Sequence, residues 1–140
     1  MADILVVDDS TSTLKLIEIL FKKNGHEVTS CKDYPEAVAA LEMRQDPSIQ
    51  LDKPKGPFAA IITDWQYPGS DGNPFSGGAD FLNYLLANPQ HRPQHLLVGS
   101  GNDVTEKMGG WSGMNPAPQA YVKPTSFNNA IKNLSAALKS

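Results

Sequence analysis

A chain of 140 residues is the size of one domain around one hydrophobic core, so a single domain is expected over 1–140. With 40% hydrophobic residues, a net charge of −3 and Lys53, Lys55, Lys107 and Lys132 scattered along the chain, it lacks the basic footprint of a nucleic-acid binder. No apolar run approaches the roughly 20 residues of a membrane span. The N-terminus enters Ile4-Leu5-Val6-Val7 without a signal peptide, and Cys31 is the only cysteine, which excludes an internal disulfide or a cysteine-rich zinc site. A soluble cytoplasmic protein with no nucleic-acid or membrane partner is the expectation.

Ile4 to Val7 is a continuous apolar run of the kind found in a strand covered on both faces, and Asp8-Asp9 ends it. From Thr11 the spacing predicts a helix with Leu14, Ile17 and Phe21 on one face, Leu16 and Leu20 widening it, and Asn24-Gly25 as its stop. His26 to Cys31 reads as a second strand. Asp33 can cap a second helix, with Pro35 in its first turn and Ala37, Val38 and Leu41 as its apolar side. Met43 to Pro57 carries Pro47, Pro54, Gly56 and Pro57 among charged and amide residues, which predicts a long exposed loop, an insertion.

Phe58 to Thr63 is the third strand and delivers Asp64 to its C-terminal end. Pro68 to Gly78 is rich in Gly and Pro, and Phe81, Leu82, Leu85 and Leu86 then give a third helix ended by Asn88-Pro89. His95 to Val98 is a fourth strand leading into Gly99-Ser100-Gly101. A short fourth helical segment is expected at Val104 to Met108, because Gly109, Gly110, Gly113, Pro116 and Pro118 crowd behind it. Ala120-Tyr121-Val122 is a fifth strand ending at Lys123-Pro124. Ser126 then caps an amphipathic helix whose stripe is Phe127, Ala130, Ile131, Leu134, Ala137 and Leu138. Five strands alternating with five helical segments imply an α/β fold, a doubly wound parallel sheet with right-handed crossovers.

Such a sheet binds ligands at the carboxyl ends of its strands. Four of those ends carry Asp8-Asp9, Asp64, Ser100 and Lys123. Three carboxylates gathered there repel one another and need a compensating cation. Oxygen ligands favour a hard ion, and a site with few protein carboxylates suits Mg²⁺. Lys123 adds a second positive charge, Ser100 offers a hydroxyl to a phosphoryl oxygen, and Asp64 is the candidate nucleophile for an aspartyl-phosphate.

These residues, in this order, resemble a receiver domain of the two-component response regulators, close to the single-domain chemotaxis type. The resemblance covers essentially the whole chain and implies a flavodoxin-like five-stranded sheet of order 2-1-3-4-5. Asp8 and Asp9 in Val6-Val7-Asp8-Asp9-Ser10 resemble the acidic pair that holds Mg²⁺, with Asp9 favoured as the direct ligand. Asp64 in Thr63-Asp64-Trp65-Gln66-Tyr67-Pro68 resembles the phosphoacceptor, with the Gln66 main-chain carbonyl completing the metal site. Ser100 resembles the switch hydroxyl, and Lys123-Pro124 the Lys-Pro pair, whose peptide bond is usually cis. Gln66 and Asn102 fall where the family tunes hydrolysis. Implied partners are a histidine kinase or histidine phosphotransfer protein and a downstream protein target. The implied activity is not that of an enzyme beyond self-phosphorylation and self-dephosphorylation.

The chain departs from the family pattern. Tyr67 stands where Met is usual, Gly72 to Gly78 reads as a second insertion, and Ala120 occupies the place of the switch aromatic. Tyr121, one residue on, should face the other side of the sheet. Output is therefore expected through residues 102–119, with Trp111 and Met114 as apolar contacts and Tyr121 at the output face. Nothing after the fifth helix supplies an output domain, so signalling by docking, or a fragment of a larger regulator or hybrid kinase, is expected. Alternatives are a phosphate sink, a phosphorylation-independent interaction module, an FMN binder using Ser10-Thr11-Ser12-Thr13, and a Mg²⁺-dependent phosphohydrolase of the haloacid dehalogenase type. The FMN reading suffers from Asp8-Asp9 beside the phosphate, and the phosphohydrolase reading from adjacent instead of spaced Asp residues. His26, His91 and His95 show no metal spacing and read as surface or strand-edge residues, His95 being partly buried.

Overall fold

The computed structural model describes residues 2–46, 56–71, 73–102, 104–123 and 127–139. Strands β1 (Asp3–Val7), β2 (Glu27–Cys31), β3 (Ala60–Asp64), β4 (His95–Ser100) and β5 (Gln119–Val122) alternate with helices α1 (Thr11–Lys22), α2 (Tyr34–Gln45), α3 (Gly77–Ala87) and α4 (Phe127–Lys139). The sheet is parallel throughout, in the order β2-β1-β3-β4-β5. Its central strands are buried on both faces, as their unbroken apolar runs require.

Alternation along each strand divides the core in two. Leu5, Val7, Ile61, Leu96 and Val98 face α2 and α3, where they meet Leu41, Phe81, Leu82 and Leu85. Ile4, Val6, Ala60, Ile62 and Leu97 face α1 and α4, where Leu14, Ile17, Phe21, Ile131 and Leu134 close over them.

Capping residues set the helix starts. Ser10 accepts the Thr13 amide at 3.4 Å at the head of α1. At α2, Asp33 accepts the Glu36 amide at 2.9 Å while Glu36 reaches back to the Lys32 amide at 3.2 Å, so two otherwise unpaired donors are satisfied. Gly25, at φ 84°, turns the chain after α1 into β2 in a conformation that side chains disfavour. Arg44 joins the end of α2 to the starts of β1 and β3: it donates to Asp3 at 2.7 Å and to the Gly56 carbonyl at 2.6 Å, and lies 4.4 Å from the Phe58 ring centroid.

Several expectations are corrected. Leu16 is 46% exposed and adds nothing to the buried face of α1, since it sits two residues, about 200°, from Leu14. His26 and His91 are buried and not surface residues: His26 accepts the Ala2 amide at 3.0 Å, and His91 stacks on Tyr84 at 5.9 Å. There are four α-helices among the described residues, and the short fourth helical segment expected at Val104 to Met108 is not among them. The chain from Val104 to Pro118 forms turns and a 3₁₀ turn at Gly109–Trp111, because its glycines and prolines cannot sustain an α-helix. Val104, Met108 and Met114 nevertheless fill the core beside α3. The expected loop from Met43 begins later, as α2 continues to Gln45. Its centre, 47–55, lies outside the described residues, as do Gly72, Pro124 with its expected cis bond, and the Ser126 cap. No helix among the described residues is long and apolar enough to cross a membrane.

Candidate functional site

Parallel pairing brings the carboxyl ends of β1, β3, β4 and β5 to one edge of the sheet. Asp8 follows β1 directly and is held by its own backbone, whose amide donates to the Cys31 carbonyl at 3.0 Å. One Asp8 oxygen accepts the Ser10 amide at 2.9 Å, and the other accepts from Lys123 Nζ at 2.7 Å. Asp64 ends β3 opposite Gly99, and its Oδ1 lies 3.5 Å from Lys123 Nζ and accepts the Trp65 amide at 2.9 Å. That amide is shared with the Gly99 carbonyl, also at 2.9 Å. Ser100 ends β4, buried, and its carbonyl takes the Lys123 amide at 2.7 Å, which fixes the root of the lysine beside the serine. Ser100 Oγ accepts the Asn102 amide at 3.4 Å.

Charge is concentrated here in little solvent. One oxygen from each of Asp8, Asp9 and Asp64 lies within 4.8 Å of the other two. Burial raises the Asp64 pKa most, Lys123 pulls it down, Asp8 pushes it up and the Trp65 amide lowers it; the balance is about 6. Burial and the neighbouring Asp8 thus move Asp64 ionisation up to about pH 6, against the pull of Lys123.

A hard divalent cation fits this donor set. All side-chain donors are carboxylate oxygens, and the turn after Asp64 adds a main-chain oxygen. The Trp65 carbonyl accepts the Gly78 amide at 3.2 Å and the Tyr67 carbonyl accepts the Gly77 amide at 2.7 Å. Between them, the Gln66 carbonyl has no hydrogen-bond partner among the described residues. Close approach of α3 is what permits this: a Cβ at 77 would lie 2.2 Å from Tyr67 Cδ1, and one at 78 would lie 2.3 Å from the Trp65 carbonyl oxygen.

No family model matches the sequence, and no curated protein matches it either. Solved structures do match. Chemotaxis protein CheY4 of Vibrio cholerae superposes with a TM-score of 0.71 at 23% identity, covering 97% of this chain and 98% of that one. The fold is that of the response regulator receiver domains. The receiver domain of Francisella response regulator 1452 is similar over 100% of both chains, at TM-score 0.69 and 20% identity. A CheY-like receiver domain protein of Methanospirillum hungatei JF-1 matches at TM-score 0.63 and 19% identity over 99% of this chain and 97% of that one. The receiver fold, with its strand order, is thus as the sequence resemblance implied.

Within this receiver fold Asp8, Asp9, Asp64, Ser100 and Lys123 come together at one strand-end edge. Gln66 and Asn102 follow Asp64 and Ser100 as exposed amides. The three residues named for the output face separate: Met114 and Tyr121 are buried, because the segment before β5 folds into the core instead of standing off it. Trp111 is half-buried; its ring meets Trp65 edge-on at 6.0 Å and its Nε1 donates to Asn83 on α3 at 3.0 Å. Sequence reasoning missed Thr63 and the Tyr67 hydroxyl, which lie 2.8 Å apart in the core behind Asp64. A polar residue inside an otherwise apolar strand, with tyrosine four residues on, was the available signal.

Proposed function

We propose that this chain is a phosphoacceptor receiver in a two-component phosphorelay. Asp64 takes a phosphoryl group from the phosphohistidine of a histidine kinase or histidine phosphotransfer protein. The observation that supports this reading is the convergence of Asp8, Asp9 and Asp64 with Lys123, whose ammonium lies 2.7 Å from Asp8 and 3.5 Å from Asp64. Mg²⁺ is the cofactor in this reading, with Asp8, Asp9, Asp64 and the Gln66 main-chain carbonyl to hold it; when bound it neutralises carboxylate and phosphoryl charge.

In the transfer an Asp64 carboxylate oxygen attacks phosphorus, a P–O bond forms, and the P–N bond of the donor breaks with its electron pair passing to the imidazole. Lys123 opposes the negative charge on the phosphoryl oxygens, and the Ser100 hydroxyl donates to one of them. Gln66 and Asn102 flank the route of water to phosphorus and set how long the acyl phosphate lasts. Its hydrolysis closes the cycle, so the protein is not an enzyme towards other substrates.

Downstream, the phosphorylated state is read by a protein partner through the connection from β4 to β5. Trp65 follows the phosphoacceptor and touches Trp111, so a change at Asp64 has a short path into that segment. Hydrogen exchange with and without a phosphoryl analogue tests this, and unchanged protection over 104–118 contradicts it. The phosphoacceptor itself is tested with a small acyl phosphate and Mg²⁺. Acid-stable label, or label independent of Mg²⁺, contradicts the reading.

A further inference from the structure

Asp64 stands at the end of β3, and Thr63, just before it, faces the opposite side of the sheet. The chain then turns back within three residues, so that the Tyr67 ring enters the core between the sheet and α3, fully buried. A tyrosine hydroxyl is costly to bury unless it finds a partner. Here the partner is Thr63 Oγ1 at 2.8 Å, itself in a fully buried residue. Thr63 Oγ1 also donates to the Asp64 main-chain carbonyl at 3.0 Å. A hydroxyl has one proton to give, so the direction of the chain is fixed: Tyr67 donates to Thr63, and Thr63 donates to the Asp64 carbonyl.

We propose that Tyr67 is a positioning residue for phosphoryl transfer: through Thr63, its buried hydroxyl fixes the Asp64 main chain and hence the aim of the Asp64 carboxylate. This rests on the phosphoacceptor reading above.

The turn from Trp65 to Tyr67 is held from outside by the Gly77 and Gly78 amides on its carbonyls. On its inner side the Trp65 amide donates to the Gly99 carbonyl at 2.9 Å, and the relay from Tyr67 through Thr63 to the Asp64 carbonyl ties its two ends together. Those two sets of bonds bracket the segment that carries the Gln66 carbonyl. A phosphoryl-transfer nucleophile works only within a narrow range of distance and angle to phosphorus, so slackening one end of its support slows the reaction at saturating donor. A tyrosine that merely filled space would be replaced without loss by phenylalanine, which has the same ring.

Tyr67→Phe therefore separates the two roles. The rate of Mg²⁺-dependent labelling by acetyl phosphate at saturating donor is measured for the full chain, with thermal melting of each variant as the control for folding. Tyr67→Phe is expected to slow labelling about tenfold while remaining folded at the assay temperature. Thr63→Val cuts the relay from its other end and is expected to do the same, whereas Thr63→Ser, which keeps the hydroxyl, restores most of the rate. Because the two hydroxyls act in series, the double variant is expected to label no more slowly than the slower single variant. A wild-type labelling rate in folded Tyr67→Phe, or equal slowing by Thr63→Ser and Thr63→Val, overturns the proposal and leaves the phosphoacceptor reading intact. Failure of the wild-type protein to take label overturns both.

Discussion

Tyr121 and Gly99 are partners across β4 and β5, and the tyrosine ring occupies the place of a side chain at 99: a Cβ there would lie 2.5 Å from Tyr121 Cζ. Tyr121 packs with Leu97 and with Phe127, the first residue of α4, at 6.0 Å between ring centroids. Ala120 lies on the opposite face, against the core beside α3. The aromatic side chain of β5 thus sits under α4, in a space that only glycine at 99 leaves open.

This fit predicts that Gly99→Ala destabilises the protein by about 1–3 kcal/mol, the usual cost of overpacking. In a Tyr121→Leu background the same substitution is expected to cost much less. Chemical denaturation of the four proteins of this cycle gives the coupling directly; equal costs in both backgrounds would mean that the two residues do not share the space.

Lys123 has a structural part besides the chemical one proposed for it. Its ammonium is the partner of Asp8, whose side chain is only 4% exposed. Lys123→Met strands that carboxylate, and since the lysine side chain is 23% exposed the expected loss is about 2 kcal/mol, less than for a fully buried pair. Adding Asp8→Asn is expected to recover part of the loss. A further loss of similar size in the double variant would show that the ion pair is not what Lys123 contributes to folding.

The acidic cluster sets a pH dependence opposite to that of a salt-bridged aspartate. Asp64 has its pKa raised in the folded protein to about 6, chiefly by burial. The folded state therefore binds the extra proton, and stability in Mg²⁺-free buffer falls as pH rises from about 4 through about 6. Asp64→Asn removes the ionisation. It is expected to be more stable than the wild type near neutral pH by on the order of 2–3 kcal/mol, with the advantage gone at about pH 4. Urea melts across this range check the sign, and an advantage that grew on acidification would contradict it.

The strand-end residues were legible because each follows an apolar run, and parallel pairing leaves few ways to arrange such runs. Asp8, Asp64, Ser100 and Lys123 needed no tertiary detail to be placed together. The burial of His91 was not legible, since it depends on a stacking partner, Tyr84, supplied by α3. The exposure of Leu16 was legible from helical geometry but obscured by leucines at neighbouring positions. Val104 to Pro118 shows a further limit: its Gly and Pro content correctly argued against a regular helix, yet said nothing of how Val104, Met108 and Met114 fill the same space. Tyr67 looked like a simple replacement within a turn, and only the return of the chain behind Asp64 reveals the hydroxyl pair with Thr63.

The central claim is that Asp64 carries the phosphoryl group. Borohydride reduces an aspartyl-phosphate to homoserine, which leaves a permanent mark at the modified position. Treatment with acetyl phosphate and Mg²⁺, followed by reduction and peptide mass spectrometry, is expected to find homoserine at position 64 and none at 8 or 9. Homoserine at position 8 or 9, or an unmodified Asp64 in protein that has demonstrably taken up phosphate, would contradict the account.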